Sequence, residues 1–266
     1  MQFAELHGLV IHYRWSDKGR GKPVLVFANS VGTDLRIWDA VSDLLGDSAS
    51  ILAYDKRGHG LTDLGSPPYG IADHVQDLVG LIDHLRIGKA VICGLSVGGL
   101  IAQGLAEARP DLVRGLILCC TATRIGTADL WNERIRLVEK AGLAAIAEGT
   151  MARWFTPAFR TPENPLLAGA RTMLLRQDAR GYTGTCAALR DADLTAATSR
   201  IAVPTLCIAG DGDGSTPPGL VKSMAQRIKG SDFTVIESCG HLPCLEQPGR
   251  LAQLITSFIG KVGAHG

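Results

Sequence analysis

Six short, almost wholly apolar runs separated by longer amphipathic stretches predict an α/β fold with a mostly parallel central sheet. Two further observations sharpen that reading. The apolar runs scarcely alternate, as expected of strands covered on both faces. A long stretch, residues 121–200, shows helical spacing only, and the strand rhythm resumes at Pro204. It reads as a helical cap inserted into a core made of residues 1–120 and 201–266.

The elements follow in order. Residues 3–15 alternate around Gly8 and predict an antiparallel hairpin at the sheet edge. Strands are expected at 23–29 (PVLVFAN), 50–55 (SILAYD), 90–95 (AVICGL), 113–120 (VRGLILCC), 204–210 (PTLCIAG) and 232–238 (DFTVIES). Helical periodicity covers 71–85, 97–108, 218–228 and 247–259, and the cap string "TADLWNERIRLVEKAGLAAIAEGTMARWF".

Composition narrows the function classes. With 27 basic and 26 acidic side chains the net charge is +1, so nothing global attracts nucleic acid or an anionic membrane. No run of about 18 apolar residues suggests a membrane span, and the N-terminus lacks a signal-peptide pattern. Several of the seven cysteines sit in strand-like runs, as reduced thiols of a cytoplasmic protein would, and no Cys or His spacing matches a metal site. The expectation is a cytoplasmic monomer or small homo-oligomer without metal or cofactor.

Chemistry concentrates in "CGLSVGGL". Ser96 lies between Gly94 and Gly98 where a strand turns into a helix, the arrangement of a nucleophile elbow. The turn is so sharp that a Cβ at either flanking position would collide with its surroundings. A serine hydroxyl needs a base. His7 and His12 belong to the hairpin, His74 and His84 fit helix surfaces, His59 suits a structural loop, and His265 is in the tail. His241 follows the last strand, at the carboxyl edge where ligands bind in parallel sheets, and is the chosen base. Asp211 and Asp213 follow the strand ending at Gly210, and residue physics leaves the choice between them open. The chain order Ser, Asp, His is that of the α/β-hydrolase triad. Oxyanion donors are expected from the Val97 N–H and from the loop after residues 23–29, with Val31 preferred and Ser30 the alternative.

Read together, "ANSVGTDLRIWD", "YDKRGHGLTD", "CGLSVGGLIAQGLA", "TATRIGTADLWNERI", "RWFTPAFR" and "LRDADL" resemble the 3-oxoadipate enol-lactone hydrolases, α/β hydrolases of aromatic catabolism. The resemblance runs from about Val10 to Phe258 and is most particular in the cap strings. It implies Asp213 as the triad acid and a small anionic lactone as substrate, opened through an acyl-enzyme with no cofactor. The chain departs from the family pattern at Val97 and at residues 242–245 (LPCL). The cap carries eleven Lys and Arg against eight Asp and Glu, so it is net positive over a net negative core. Arg134 is the expected partner of the substrate carboxylate, with Trp131, Trp154 and Ser30 as further contacts, and Arg57 and Arg124 as alternative anion sites. A cysteine or carboxylate nucleophile would need a different elbow residue. Other esterases, lactonases or C–C hydrolases with the same triad, and a receptor without turnover, are the competing readings.

Overall fold

The computed structural model describes residues 1–263; His265 lies outside the described residues. The chain runs β1 (Gln2–Leu6), β2 (Leu9–Ser16), β3 (Val24–Ala28), α1 (Asp39–Leu45), β4 (Ser50–Tyr54), α2 (Ile71–His84), β5 (Ala90–Leu95), α3 (Val97–Ala108) and β6 (Val113–Cys119). Helices α4 (Ala128–Ala141), α5 (Ala144–Trp154), α6 (Pro165–Leu175), α7 (Ala179–Asp191) and α8 (Thr195–Thr198) follow without an intervening strand. The sheet then resumes with β7 (Thr205–Gly210), α9 (Pro218–Ala225), β8 (Asp232–Ile236), α10 (Pro243–Glu246) and α11 (Pro248–Gly263).

Eight strands form one sheet in the order β1-β2-β4-β3-β5-β6-β7-β8. The β1–β2 hairpin closes through His7 and Gly8, both at positive φ, and β2 pairs antiparallel with β4. From β4 to β8 every pairing is parallel, which places all those strand ends along one edge. The strand period of two sorts side chains between two cores. Leu25 and Phe27 face one side with α1, α11 and the helices between β6 and β7, and Val26 and Ala28 face the other with α2, α3 and α9. Trp38 stacks on Phe27 with ring centroids 4.3 Å apart, sealing the first layer beneath the loop that follows β3.

Local chemistry sets the helix ends. Thr127, Asn164 and Asp178 each accept a backbone N–H as N-caps of α4, α6 and α7, and Pro165 opens α6 where its missing N–H costs nothing. Four strands stop short of their sequence limits, and two of them, β6 and β8, do so beside a residue at positive φ. Cys120 takes φ +45° and Ser238 φ +52°, so the backbone turns out of the ladder just where the functional loops begin.

Candidate active site

Ser96 sits in the bend between β5 and α3 at φ 58° and ψ −119°, a sparsely populated conformation for a residue with a side chain. Three contacts hold it there. Its N–H donates to the Cys119 carbonyl at 3.0 Å, and its carbonyl accepts from Gly99 N–H at 2.8 Å and Thr121 Oγ1 at 2.7 Å. The flanking glycines are dictated by packing. A Cβ on Gly94 would lie 2.2 Å from the Gly98 carbonyl oxygen, and one on Gly98 would lie 2.0 Å from that of Ala28. The N–H of Val97 opens α3 and meets no acceptor among the described residues.

The neighbouring strand ends deliver an acid–base pair. His241, 2% exposed, follows β8, and its backbone N–H is pinned by the Trp154 carbonyl at 2.7 Å. Its Nδ1 lies 2.8 Å from Asp213 Oδ2, which leaves Nε2 for the reacting side. The carboxylate of Asp213 also accepts from Ser215 N–H, Thr216 N–H and Thr216 Oγ1, at 2.7, 2.9 and 2.7 Å. Burial pushes its pKa upward, but the His241 charge and these donors outweigh burial and bring it down to about 2. Asp211 points elsewhere. It accepts the N–H groups of Ser238 and Cys239, both at 3.0 Å, and so shapes the loop leading to His241. Of the two aspartates, Asp213 touches the imidazole.

On the other side of Ser96, the loop after β3 carries Ser30 and Val31. Val31 N–H has no acceptor among the described residues, and Ser30 Oγ is buried without a partner there. The loop rests on two groups from "YDKRGHG". Lys56 Nζ donates to Ser30 O at 2.6 Å and Thr33 O at 3.3 Å, and Gly32 N–H donates to His59 Nε2 at 3.0 Å. His59 is therefore a brace, kept neutral by burial and by the nearby Lys56 charge. His74 corrects the surface assignment made from helical spacing. It is fully buried on the inner face of α2, and neither ring nitrogen has a partner among the described residues.

The helices after β6 bring the remaining residues into place. The rings of Trp154 and Tyr182 pack on Gly32, where an added Cβ would meet them at 3.5 and 3.1 Å. Arg134, half-buried, donates to Tyr182 OH at 3.1 Å and lies 5.7 Å from the Trp131 ring centroid. It has no carboxylate partner among the described residues. Trp131 spends its indole N–H on the Ile125 carbonyl at 2.6 Å, so it offers a ring but no donor. Arg57 is committed to Asp77 through bonds of 2.6 and 2.7 Å, and Arg124 is exposed.

Lys56, Thr216, Tyr182 and Cys120 were not singled out by sequence reasoning. For Thr216 a signal existed, since a side chain three residues after a turn aspartate is placed to cap it. Cys120 brings its sulfur to within 4.8 Å of the Asp213 and His241 ligand atoms. The thiol stays protonated: its pKa is raised well above the usual value by a hydrogen bond with Cys119 and by burial.

A model of the alpha/beta hydrolase family matches residues 25–254. The chain is 36% identical to 3-oxoadipate enol-lactonase 2 of Acinetobacter baylyi over 227 residues, covering 85% of each. The chain belongs to the 3-oxoadipate enol-lactonase family of α/β hydrolases. Among solved structures, the enol-lactonase from Burkholderia xenovorans LB400 superposes with a TM-score of 0.93 at 33% identity, over 97% of this chain and all of that one. A malate-bound thermophilic esterase from Thermogutta terrifontis superposes with a TM-score of 0.92 at 29% identity, covering 99% of this chain and 100% of its own. Membership makes the protein a hydrolase with the α/β-hydrolase fold. No helix among the described residues is long and apolar enough to cross a membrane.

Proposed function

We propose that the protein hydrolyses 3-oxoadipate enol-lactone to 3-oxoadipate, with Ser96 as nucleophile, His241 as base and Asp213 as the acid that orients it. The observation that carries this reading is the buried His241–Asp213 pair at 2.8 Å, set at the strand edge that also ends in the Ser96 elbow. The names of the relatives supply the lactone. Ser96 attacks the lactone carbonyl while His241 takes its proton through Nε2, and Asp213 stabilises the imidazolium. The N–H groups of Val31 and Val97 hold the oxyanion. The His241 imidazolium gives its proton to the ring oxygen as the C–O bond breaks, and the expelled enol tautomerises to the ketone, which removes the nucleophile for reclosure. Water activated by His241 then frees the acid. These steps call for no metal or organic cofactor.

Residues 121–200 act as the cap of this site, and Arg134 receives the substrate carboxylate. Moving a carboxylate out of water without a partner costs several kcal/mol, and Arg134 is a half-buried cation with no carboxylate of its own. Its partner Tyr182 and the neighbouring Trp154 both pack on the loop that carries Val31, which links the anion site to the reacting carbonyl. The malate in the thermophilic esterase supports a carboxylate-bearing ligand in this fold.

Steady-state assays on the enol-lactone and on 4-nitrophenyl acetate test the proposal. Ser96→Ala abolishes both activities in a folded protein. Arg134→Ala raises KM for the lactone about 10- to 100-fold and leaves the neutral ester unchanged. Equal losses on both substrates would move the anion site elsewhere. Turnover of the acetate without the lactone would make the chain a simple esterase.

A further inference from the structure

Lys56 is a lysine with 1% exposure, buried far from solvent, and the mechanism above leaves it without a task. Its ammonium points at the loop after β3. Three donors converge on the carbonyl of Ser30: Lys56 Nζ at 2.6 Å, Thr33 Oγ1 at 2.9 Å and Thr33 N–H at 3.4 Å. That carbonyl and the Val31 N–H are the two poles of one peptide unit. In a trans peptide they point in opposite directions. The side loaded with donors therefore faces Lys56, and the side without an acceptor among the described residues is the one given to the oxyanion.

We infer that Lys56 is a positioning residue for the oxyanion hole, fixing the Ser30–Val31 peptide by its carbonyl end and polarising it so that the Val31 N–H becomes a stronger donor. The inference rests on the serine-hydrolase reading and extends it to the charge behind the hole. Two effects are separable. The hydrogen bonds resist a peptide flip, because flipping would strip three donors from the carbonyl and leave Lys56 without its closer acceptor. The positive charge adds polarisation, which strengthens successive hydrogen bonds by about 10–30% each. A deprotonated amine keeps two N–H donors, so it still holds the loop but polarises less.

The surroundings bring that charge into the physiological range. Asp34 and Asp55 face Lys56 and favour its proton, but each is shared with another partner. Asp34 pairs with Arg36 at 2.6 Å, and an Asp55 carboxylate oxygen lies 2.7 Å from His12 Nδ1. His59 and His74, the other titratable neighbours, are neutral through burial. Burial thus dominates, and the Lys56 pKa falls to about 7.

The test is kcat and KM from pH 5.5 to 9.5 for the wild type, Lys56→Met and Thr33→Val, on the enol-lactone and on 4-nitrophenyl acetate. Wild-type kcat falls about 10-fold as pH rises through a limb near 7, and KM stays flat. Lys56→Met loses about 10- to 100-fold in kcat at pH 6 and has no such limb. Thr33→Val, which removes one neutral donor from the same carbonyl, loses a few-fold in kcat and keeps the limb. A limb that survives in Lys56→Met, or a loss confined to KM, overturns the inference. If Lys56→Met does not fold, a wild-type profile without an alkaline limb overturns it alone. If only the acetate is turned over, the lactone reading fails and the inference is judged on the acetate. If neither ester reacts, both fall.

Discussion

Replacing Gly98 by Ala tests whether one close packing contact sets the distance between the N–H groups of Val31 and Val97, the proposed oxyanion donors. The added Cβ would sit 2.0 Å from the Ala28 carbonyl oxygen, where ordinary contact begins at 3.4 Å, so strand and helix must part by about 1.4 Å. Neither neighbour is a flexible side-chain tip. Ala28 ends β3 and leads directly to Ser30 and Val31, whereas Gly98 follows the Val97 donor in α3. The overpacking costs about 1–3 kcal/mol. At about 2–4 °C per kcal/mol for a chain of this size, Tm falls by about 2–12 °C. Catalysis should suffer more, because losing one donor costs about 3 kcal/mol of transition-state stabilisation, or about 100-fold in kcat. Thermal unfolding and steady-state kinetics read the two effects together. Gly169→Ala in α6, where a Cβ meets nothing within 4 Å, is the control and should gain up to about 1 kcal/mol. A Gly98→Ala enzyme with wild-type Tm and kcat within three-fold would refute the reasoning.

Two further outcomes follow. Asp213→Asn should lower kcat by about 10⁴ because the imidazole loses its orienting acceptor; Asp211→Asn, at a carboxylate that accepts the N–H groups of Ser238 and Cys239 and does not meet the imidazole, should cost about ten-fold or less and about 1 kcal/mol of stability. The reverse order in kcat would exclude Asp213 as the acid. His74→Leu should stabilise the fold by about 1–2 kcal/mol in urea unfolding at pH 7, since it removes two buried nitrogens without partners among the described residues. Burial and the nearby Lys56 and Arg57 charges depress the folded-state pKa of His74, so the unfolded chain binds the proton first as pH falls below about 6.5. Wild-type stability therefore drops on acidification, and the variant should lose part of that drop, with His59 supplying the rest. A variant less stable than the parent at every pH would show that His74 has a partner.

Ser96 and His241 were legible in the sequence because each sits where an apolar run ends, and parallel pairing puts all such ends on one edge. The choice between Asp211 and Asp213 was legible only through the family resemblance, not from residue physics. They lie two residues apart in a single turn, and which one turns inward depends on the N–H groups of Ser215 and Thr216, a matter of backbone path. Lys56 looked like any cation in a charged loop, since the acceptors that bury it lie on a strand-end loop 23 and 26 residues away. His74 was misread because helical spacing identifies faces but not which polar residue a face will bury; here Val75, Asp77 and Leu78 go inside with it. Arg134 could be placed on a cap helix from its spacing, but its bond to Tyr182, 48 residues on, is tertiary.

The order in which the chain supplies the three residues of the proposed triad has a consequence for its synthesis. Ser96 leaves the ribosome early, on β5, and its base and acid arrive only after all five helices α4–α8 have been made, on loops following β8 and β7. Until those last strands join the edge of the sheet, the hydroxyl has no proton acceptor and reacts no faster than any serine. If the proposed triad is the catalytic one, a nascent or C-terminally truncated chain is therefore chemically inert toward the esters and thioesters around it. On the proposed mechanism, activity is switched on by completion of the fold.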